Sequence, residues 1–181
     1  FNEEMKELAA RVDGTRLVTQ ATFWNVDPTW DVDDVLGINE YQGVFYYPWA
    51  PTIGDYYYPT RAALKRSHEA QPDKPIIASE MGMWSTELML WTSEQSRCFV
   101  DTFRALDEKP YVAGTTWWCM FDWWQAPGTA QTMGAVTWDR SFKKDVYYRI
   151  QEAYENTWTR PWVKILFPSD GDLLGGLVEI R

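Results

Sequence analysis

The sequence predicts an α/β fold built on a parallel sheet. Segments with helical apolar spacing alternate along the chain with short β-branched or aromatic runs. Two of those runs, Val35-Leu36-Gly37-Ile38 and Pro75-Ile76-Ile77-Ala78-Ser79, are apolar without alternation, as strands covered on both faces are. Polar residues end the runs at their carboxyl side, where α/β folds place their chemistry. Those ends carry Trp24, Asn39 with Tyr41, Glu80, and Trp118 with Asp122.

Residues 2–13 place Met5, Leu8, Ala9 and Val12 at helical spacing, acids first and Arg11 late, as the helix dipole favours; Asp13-Gly14 ends this helix. Arg16 to Trp24 reads as a first strand, and after a loop Val35 to Asn39 reads as a second, ending in Asn39-Glu40-Tyr41. Residues 45–58, rich in Tyr, Trp and Pro, have no period and read as a long loop. Pro59 to Ala70 is a helix with proline at its start, Arg61, Lys65 and Arg66 outward and Ala62, Ala63 and Leu64 inward. Gln71-Pro72-Asp73 breaks it, and Ile76 to Glu80 follows as the third strand. Thr92-Ser93-Glu94 opens a long helix carrying Phe99, Val100, Phe103 and Leu106, and Tyr111 to Met120 is the fourth strand. Beyond a Gly/Pro loop and a turn at 134–137, Ser141 to Trp158 forms the last helix, with Val146, Ile150, Ala153 and Tyr154 on one face. After Arg160-Pro161 the composition changes. Two strand-like runs flank Pro168-Ser169-Asp170-Gly171, so a boundary falls near residue 160 and residues 161–181 read as the start of a β domain.

The chain has 181 residues and a net charge of −9, with no cluster of Lys and Arg. Nucleic acid is therefore not expected as a partner, nor an anionic membrane surface, and no apolar run reaches spanning length. Cys98 and Cys119 lie outside any metal-ligand spacing and His68 is the only histidine, so neither a metal centre nor another cofactor is expected. Twelve Trp and ten Tyr exceed what a core of this size ordinarily uses. Their flat apolar faces with polar edges suit sugar rings, although an aromatic core or a protein interface has the same composition.

Taken together, the strand-end motifs resemble the second half of the catalytic barrel of glycoside hydrolase family 2, which holds β-galactosidases, β-glucuronidases and β-mannosidases. Leu8 to Thr19 (LAARVDGTRLVT) is similar to that family's helix and fifth strand, with Gly14 and Leu17 where proline is usual. Asp34 to Tyr47 (DVLGINEYQGVFYY) resembles the sixth strand with its Asn-x-Tyr-x-Gly pattern, and PIIASEMG the seventh, usually Pro-Ile-x-x-Ser/Thr-Glu-Tyr-Gly. GTTWWCMFDW resembles the eighth strand, and residues 134–154 the closing loop and helix. The likeness spans roughly residues 4–158, and four motifs in order are far more specific than one. It implies the C-terminal half of a (β/α)8 barrel over residues 1–160, followed by an incomplete β-sandwich.

The resemblance further implies a retaining β-glycosidase with Glu80 as nucleophile, Tyr41 donating a hydrogen bond to it, and Asn39 shaping the sugar pocket. Trp118 would wall the pocket. Asp122 would bond a hydroxyl or hold its loop, and Trp24, Trp84 and Trp124 are weaker pocket candidates. Glu40 follows Asn39 in the manner of the family's acid/base dipeptide but belongs to the Asn-x-Tyr motif and is assigned no chemistry. The acid/base itself is expected upstream of Phe1, because Asn2-Glu3 opens a helix with no strand before it. Four strands leave half a barrel, so the chain is expected to be inactive alone and to be completed by an N-terminal half from the same or a complementing chain. Gln131-Thr132-Met133 stand before Gly134 where β-glucuronidases carry Asn-x-Lys, which favours a β-galactosidase-type activity on a carbohydrate substrate, while the aromatic loop offers a further subsite. A non-catalytic carbohydrate binder on this scaffold, or another retaining family of the same clan, fits the same residues.

Overall fold

A computed structural model describes residues 1–23, 26–45, 54–85 and 92–155. Four strands, β1 (Ala21–Thr22), β2 (Leu36–Asn39), β3 (Ile76–Met81) and β4 (Val112–Trp117), form one sheet in chain order, and every neighbouring pair is parallel. Helices α1 (Asn2–Val12), α2 (Tyr57–Ala70), α3 (Thr92–Asp107) and α4 (Asp145–Tyr154) alternate with them, α3 lying against both α2 and α4. The expected parallel α/β architecture is thus observed.

Ile76, Ala78, Leu36 and Ile38 face Leu64, Phe99, Leu106 and Val146 in one core. Each such large side chain, removed from water, contributes on the order of 1.5–3 kcal/mol, which is why the unalternating runs mark the central strands. Helix α2 starts at Tyr57, two residues before the expected Pro59. Proline is tolerated there because the first-turn N–H groups have no intrahelical acceptor to lose. Ala63 and Leu64 point inward as expected, whereas Ala62 is exposed, as is Tyr154 on α4.

The first strand is much shorter than the sequence suggests. The Val18 N–H is taken by the Asp34 carboxylate at 2.9 Å and the Val18 carbonyl by the Asp34 N–H, so only Ala21–Thr22 enters the ladder. Helix α1 is amphipathic as expected, but Met5, Leu8 and Val12 are 49, 45 and 80% exposed. Lys6 ties it to Asp34 at 2.6 Å. The last helix begins at Asp145 rather than Ser141, because Val136 bridges to Lys143 and keeps the preceding residues extended. The expected β domain and the boundary near residue 160 lie outside the described residues.

Where the sequence reads as a Gly/Pro loop, the structure has an antiparallel hairpin, β5 (Trp123–Ala126) and β6 (Thr129–Gln131). Pro127-Gly128 makes its turn, Gly128 supplying a φ of +79° that a side chain would resist.

Glu40 is 3% exposed, with Thr60 Oγ1 donating to it at 3.3 Å. Burial pushes its carboxyl up to about 8, against the pull of the Gln42 N–H, Thr60 and Arg66. A carboxyl raised above its unfolded value stabilises the fold fully below about pH 4.5, and that contribution is lost as pH rises through about 8. Glu40→Gln is therefore expected to flatten the pH dependence of thermal stability across this window. Parallel melting curves for the two proteins between pH 5 and 8 would contradict the assignment.

Candidate active site

The sheet register brings the strand-end residues together. Asn39, the last residue of β2, pairs with Glu80 on β3, and the Glu40 N–H donates to the Glu80 carbonyl at 2.6 Å. Two residues past Asn39, the Tyr41 hydroxyl donates to Glu80 Oε2 at 2.7 Å. Charge assistance makes this a strong bond, and it fixes the rotamer of a carboxylate at the end of a buried strand. Ser79 Oγ donates to Asn39 Oδ1 at 2.9 Å, which sets the orientation of that amide, and Thr116 Oγ1 donates to the Ser79 carbonyl.

Aromatic rings build the surroundings. Phe45 meets Tyr41 and Trp84 edge-on, with centroids 4.6 and 4.7 Å away, and Trp118 meets Trp123 edge-on at 5.8 Å. Trp118 is 41% exposed, its N–H bound to the Met81 carbonyl at 2.8 Å and its peptide to Cys119 cis. Gly82 allows this approach, because a Cβ there would strike the Trp118 carbonyl. Gln95 is buried and its Nε2 donates to the Met83 carbonyl at 2.9 Å and towards those of Met133 and Gly134, joining the exit of β3 to the segment below the hairpin.

The result is a cavity of about 460 Å³ with Glu80, Asn39, Tyr41, Trp84 and Trp118 on its wall. These five candidates from the sequence meet at one place. Trp24 lies outside the described residues. Asp122 does not line the cavity: its Oδ1 accepts from Lys144 Nζ at 2.6 Å and from the Gly134 N–H at 2.8 Å, so it holds its loop. Trp124 is exposed away from the wall. The wall also includes Phe23, Phe45 and Met133, and three side chains of the hairpin: Trp123, Gln125 and Gln131. Trp123 closes the eighth-strand motif, whereas Gln125 and Gln131 fall where the sequence reads as a Gly/Pro loop; the Pro-Gly pair between two strand-like triplets is the signal that marks the hairpin.

Cys98 and Cys119 are free thiols, and burial raises both above the usual thiol range. Among the described residues no group of His, Cys, Asp and Glu is arranged to hold a metal ion, and no helix is long and apolar enough to cross a membrane.

No protein-family profile matches the chain. A β-glucuronidase of Bacteroides fragilis is 27% identical over 88% of this chain and 24% of its own length. The structure of a β-glucuronidase from an uncultured Clostridium superposes with a TM-score of 0.74 at 26% identity, over 85% of this chain and 29% of that one. A β-galacturonidase of glycoside hydrolase family 2 from Eisenbergiella tayi shares the fold at 17% identity, with a TM-score of 0.67 over 84% of this chain and 29% of its own. The chain thus spans about a quarter of the length of the relatives it matches. The likeness to glycoside hydrolase family 2 carried by the strand-end motifs holds across most of the chain, which matches a part of such an enzyme.

Proposed function

We propose that this chain supplies the nucleophile side of a retaining β-glycosidase. The observation that carries this reading is the Tyr41–Glu80 hydrogen bond of 2.7 Å on the wall of a cavity rich in aromatic rings. Tyr41 holds Oε2, leaving Oε1 to attack the anomeric carbon as the aglycone departs. The resulting glycosyl ester on Glu80 is then hydrolysed by water with retention of configuration. Tryptophan faces such as Trp118 suit the apolar C–H side of the sugar ring.

The leaving oxygen needs a proton from a second carboxyl about 5 Å from the first. Glu80 is the only carboxyl among the described wall residues, so the acid/base comes from outside them. We assign it to the first half of an eight-stranded barrel of which the four parallel strands would form the second half. The sheet order supports this, since β1 and β4 are both unpaired edges among the described residues. Residues 161–181 would open a following β-sandwich.

The matched relatives are named for uronides, whereas Gln131-Thr132-Met133 favour the β-galactosidase-type reading. Incubation of the full-length protein with activated 2-deoxy-2-fluoro β-glycosides of both kinds tests the mechanism. A stoichiometric mass increase on the peptide bearing Glu80 is expected, and a label on any other peptide defeats the assignment. Saturable sugar binding without hydrolysis or label would instead identify a carbohydrate binder, the reading that the single wall carboxyl also suits.

A further inference from the structure

We propose that Ser79 is a positioning residue for Glu80: it is the extra residue of a β-bulge that turns the Glu80 side chain out of the core and into the cavity, and side chains of the two neighbouring strands hold it there. The inference rests on the glycosidase reading and concerns how the nucleophile of that reading is aimed. Along β2 and β3 the register pairs Leu36 with Ile76, Gly37 with Ile77 and Ile38 with Ala78, and then jumps to Asn39 opposite Glu80. Ser79 is passed over. On its other side β3 slips at the same place, Ala78 pairing with Thr115 and Met81 with Trp117, so that Ser79 and Glu80 together oppose Thr116.

Parity gives the slip its meaning, because facing residues of paired strands share a face and a shift of one residue exchanges the faces. Ile38 and Ala78 both lie in the core. Carried on unbroken, their register would set Glu80 opposite Glu40, whose side chain is buried and takes a hydrogen bond from Thr60 of α2. The extra residue sets it opposite Asn39 instead, and both then stand on the cavity wall, where Tyr41 donates to Glu80. A bulge takes its extra residue out of the ladder, and here side chains supply the ties. Ser79 Oγ donates to Asn39 Oδ1 on β2 at 2.9 Å, and Thr116 Oγ1 on β4 donates to the Ser79 carbonyl. Backbone pairing resumes beyond them, with the Glu40 N–H on the Glu80 carbonyl at 2.6 Å and the Trp118 N–H on that of Met81 at 2.8 Å.

The test uses the full-length protein with Ser79→Ala and Thr116→Val, which delete one tie each, and with Ser79→Thr and Thr116→Ser, which keep the hydroxyls. Each deletion is expected to lower kcat on an aryl β-glycoside by about 10-fold with KM within about 2-fold, the effect of one hydrogen bond that steadies the nucleophile rather than the sugar. The variants that keep the hydroxyl are expected within about 3-fold of wild type. Native-state hydrogen exchange read at single amides supplies a second measure. The deletions are expected to speed exchange of the Glu40 N–H by about 10-fold, and to leave unchanged the Leu36 N–H, bonded to the Pro75 carbonyl at the start of the same two strands. Deletion variants that keep kcat within about 2-fold of wild type, or hydroxyl-keeping variants as slow as the deletions, overturn the proposal. So does Glu40 exchange that is unchanged or that rises equally at Leu36. If the wild type neither turns over a glycoside nor takes a label on Glu80, the glycosidase reading fails, and the exchange pattern alone then decides whether Ser79 and its ties aim Glu80.

Discussion

If Glu80 is the nucleophile proposed above, Glu80→Gln is expected to lower kcat on aryl β-glycosides by about 10⁴-fold or more, equivalent to about 5 kcal/mol of lost transition-state stabilisation. The amide keeps the shape of the carboxylate and still offers an oxygen to the Tyr41 hydroxyl, so the aromatic wall is left in place. What the proposed mechanism loses is its nucleophile, because an amide oxygen does not form the glycosyl ester. KM is expected to change little by comparison, since the rings proposed to bind the sugar are untouched. Glu80→Gly opens room for azide, which is expected to restore turnover and to give the glycosyl azide of inverted configuration. Tyr41→Phe is the informative companion: losing one charge-assisted hydrogen bond costs about 10–100-fold, clearly less than losing the nucleophile. Steady-state kinetics and product stereochemistry check these outcomes, and Glu80→Gln activity above a hundredth of wild type would remove Glu80 from the role.

The central strands and their polar ends were legible because one physical demand writes both. A strand covered on two faces has no alternation, so Ile76-Ile77-Ala78 stands out, and the carboxylate that ends it needs donors, which Tyr41 supplies. The first strand misled for a local reason: Arg16 to Thr19 has strand composition, yet the Asp34 side chain captures the N–H that a ladder would use. For Asp122 the sequence leaves two readings open, a sugar hydroxyl or its own loop; the loop is what it holds, because the cation that claims it comes from 22 residues further along the chain, and no local pattern announces such a pair. The same distance effect hides Gln125 and Gln131, which reach the cavity wall in a hairpin that Trp84 meets from 47 residues away, its Nε1 donating to Gln131 Oε1.

Asp122→Ala is expected to destabilise the protein by about 3–5 kcal/mol, the range for removing one partner of a buried ion pair. The side chains of Lys144 and Asp122 are only 5% and 9% exposed, so neither charge is shared with water once the other is gone. Burial already pushes the Lys144 ammonium below its usual range, with Asp122 pulling the other way, and deleting the carboxylate removes the main counterweight to burial. The orphaned Gly134 N–H adds to the loss, because it has Asp122 Oδ1 as its acceptor at 2.8 Å. Asp122→Asn retains an acceptor for that N–H and should cost less, while Lys144→Met in the Asp122→Asn background should recover part of the stability by removing the buried cation. A denaturant-unfolding cycle over these variants measures the coupling, and an Asp122→Ala loss below about 1 kcal/mol would place the pair among ordinary surface contacts. Lys144 also donates to the Thr132 carbonyl, and Gln95 holds Met133 and Gly134 from the other side. Loosening this segment displaces Met133 and Gln131 on the cavity wall, so the destabilised variants are expected to lose activity beyond their unfolded fraction, which separates a positioning role for Asp122 from sugar contact.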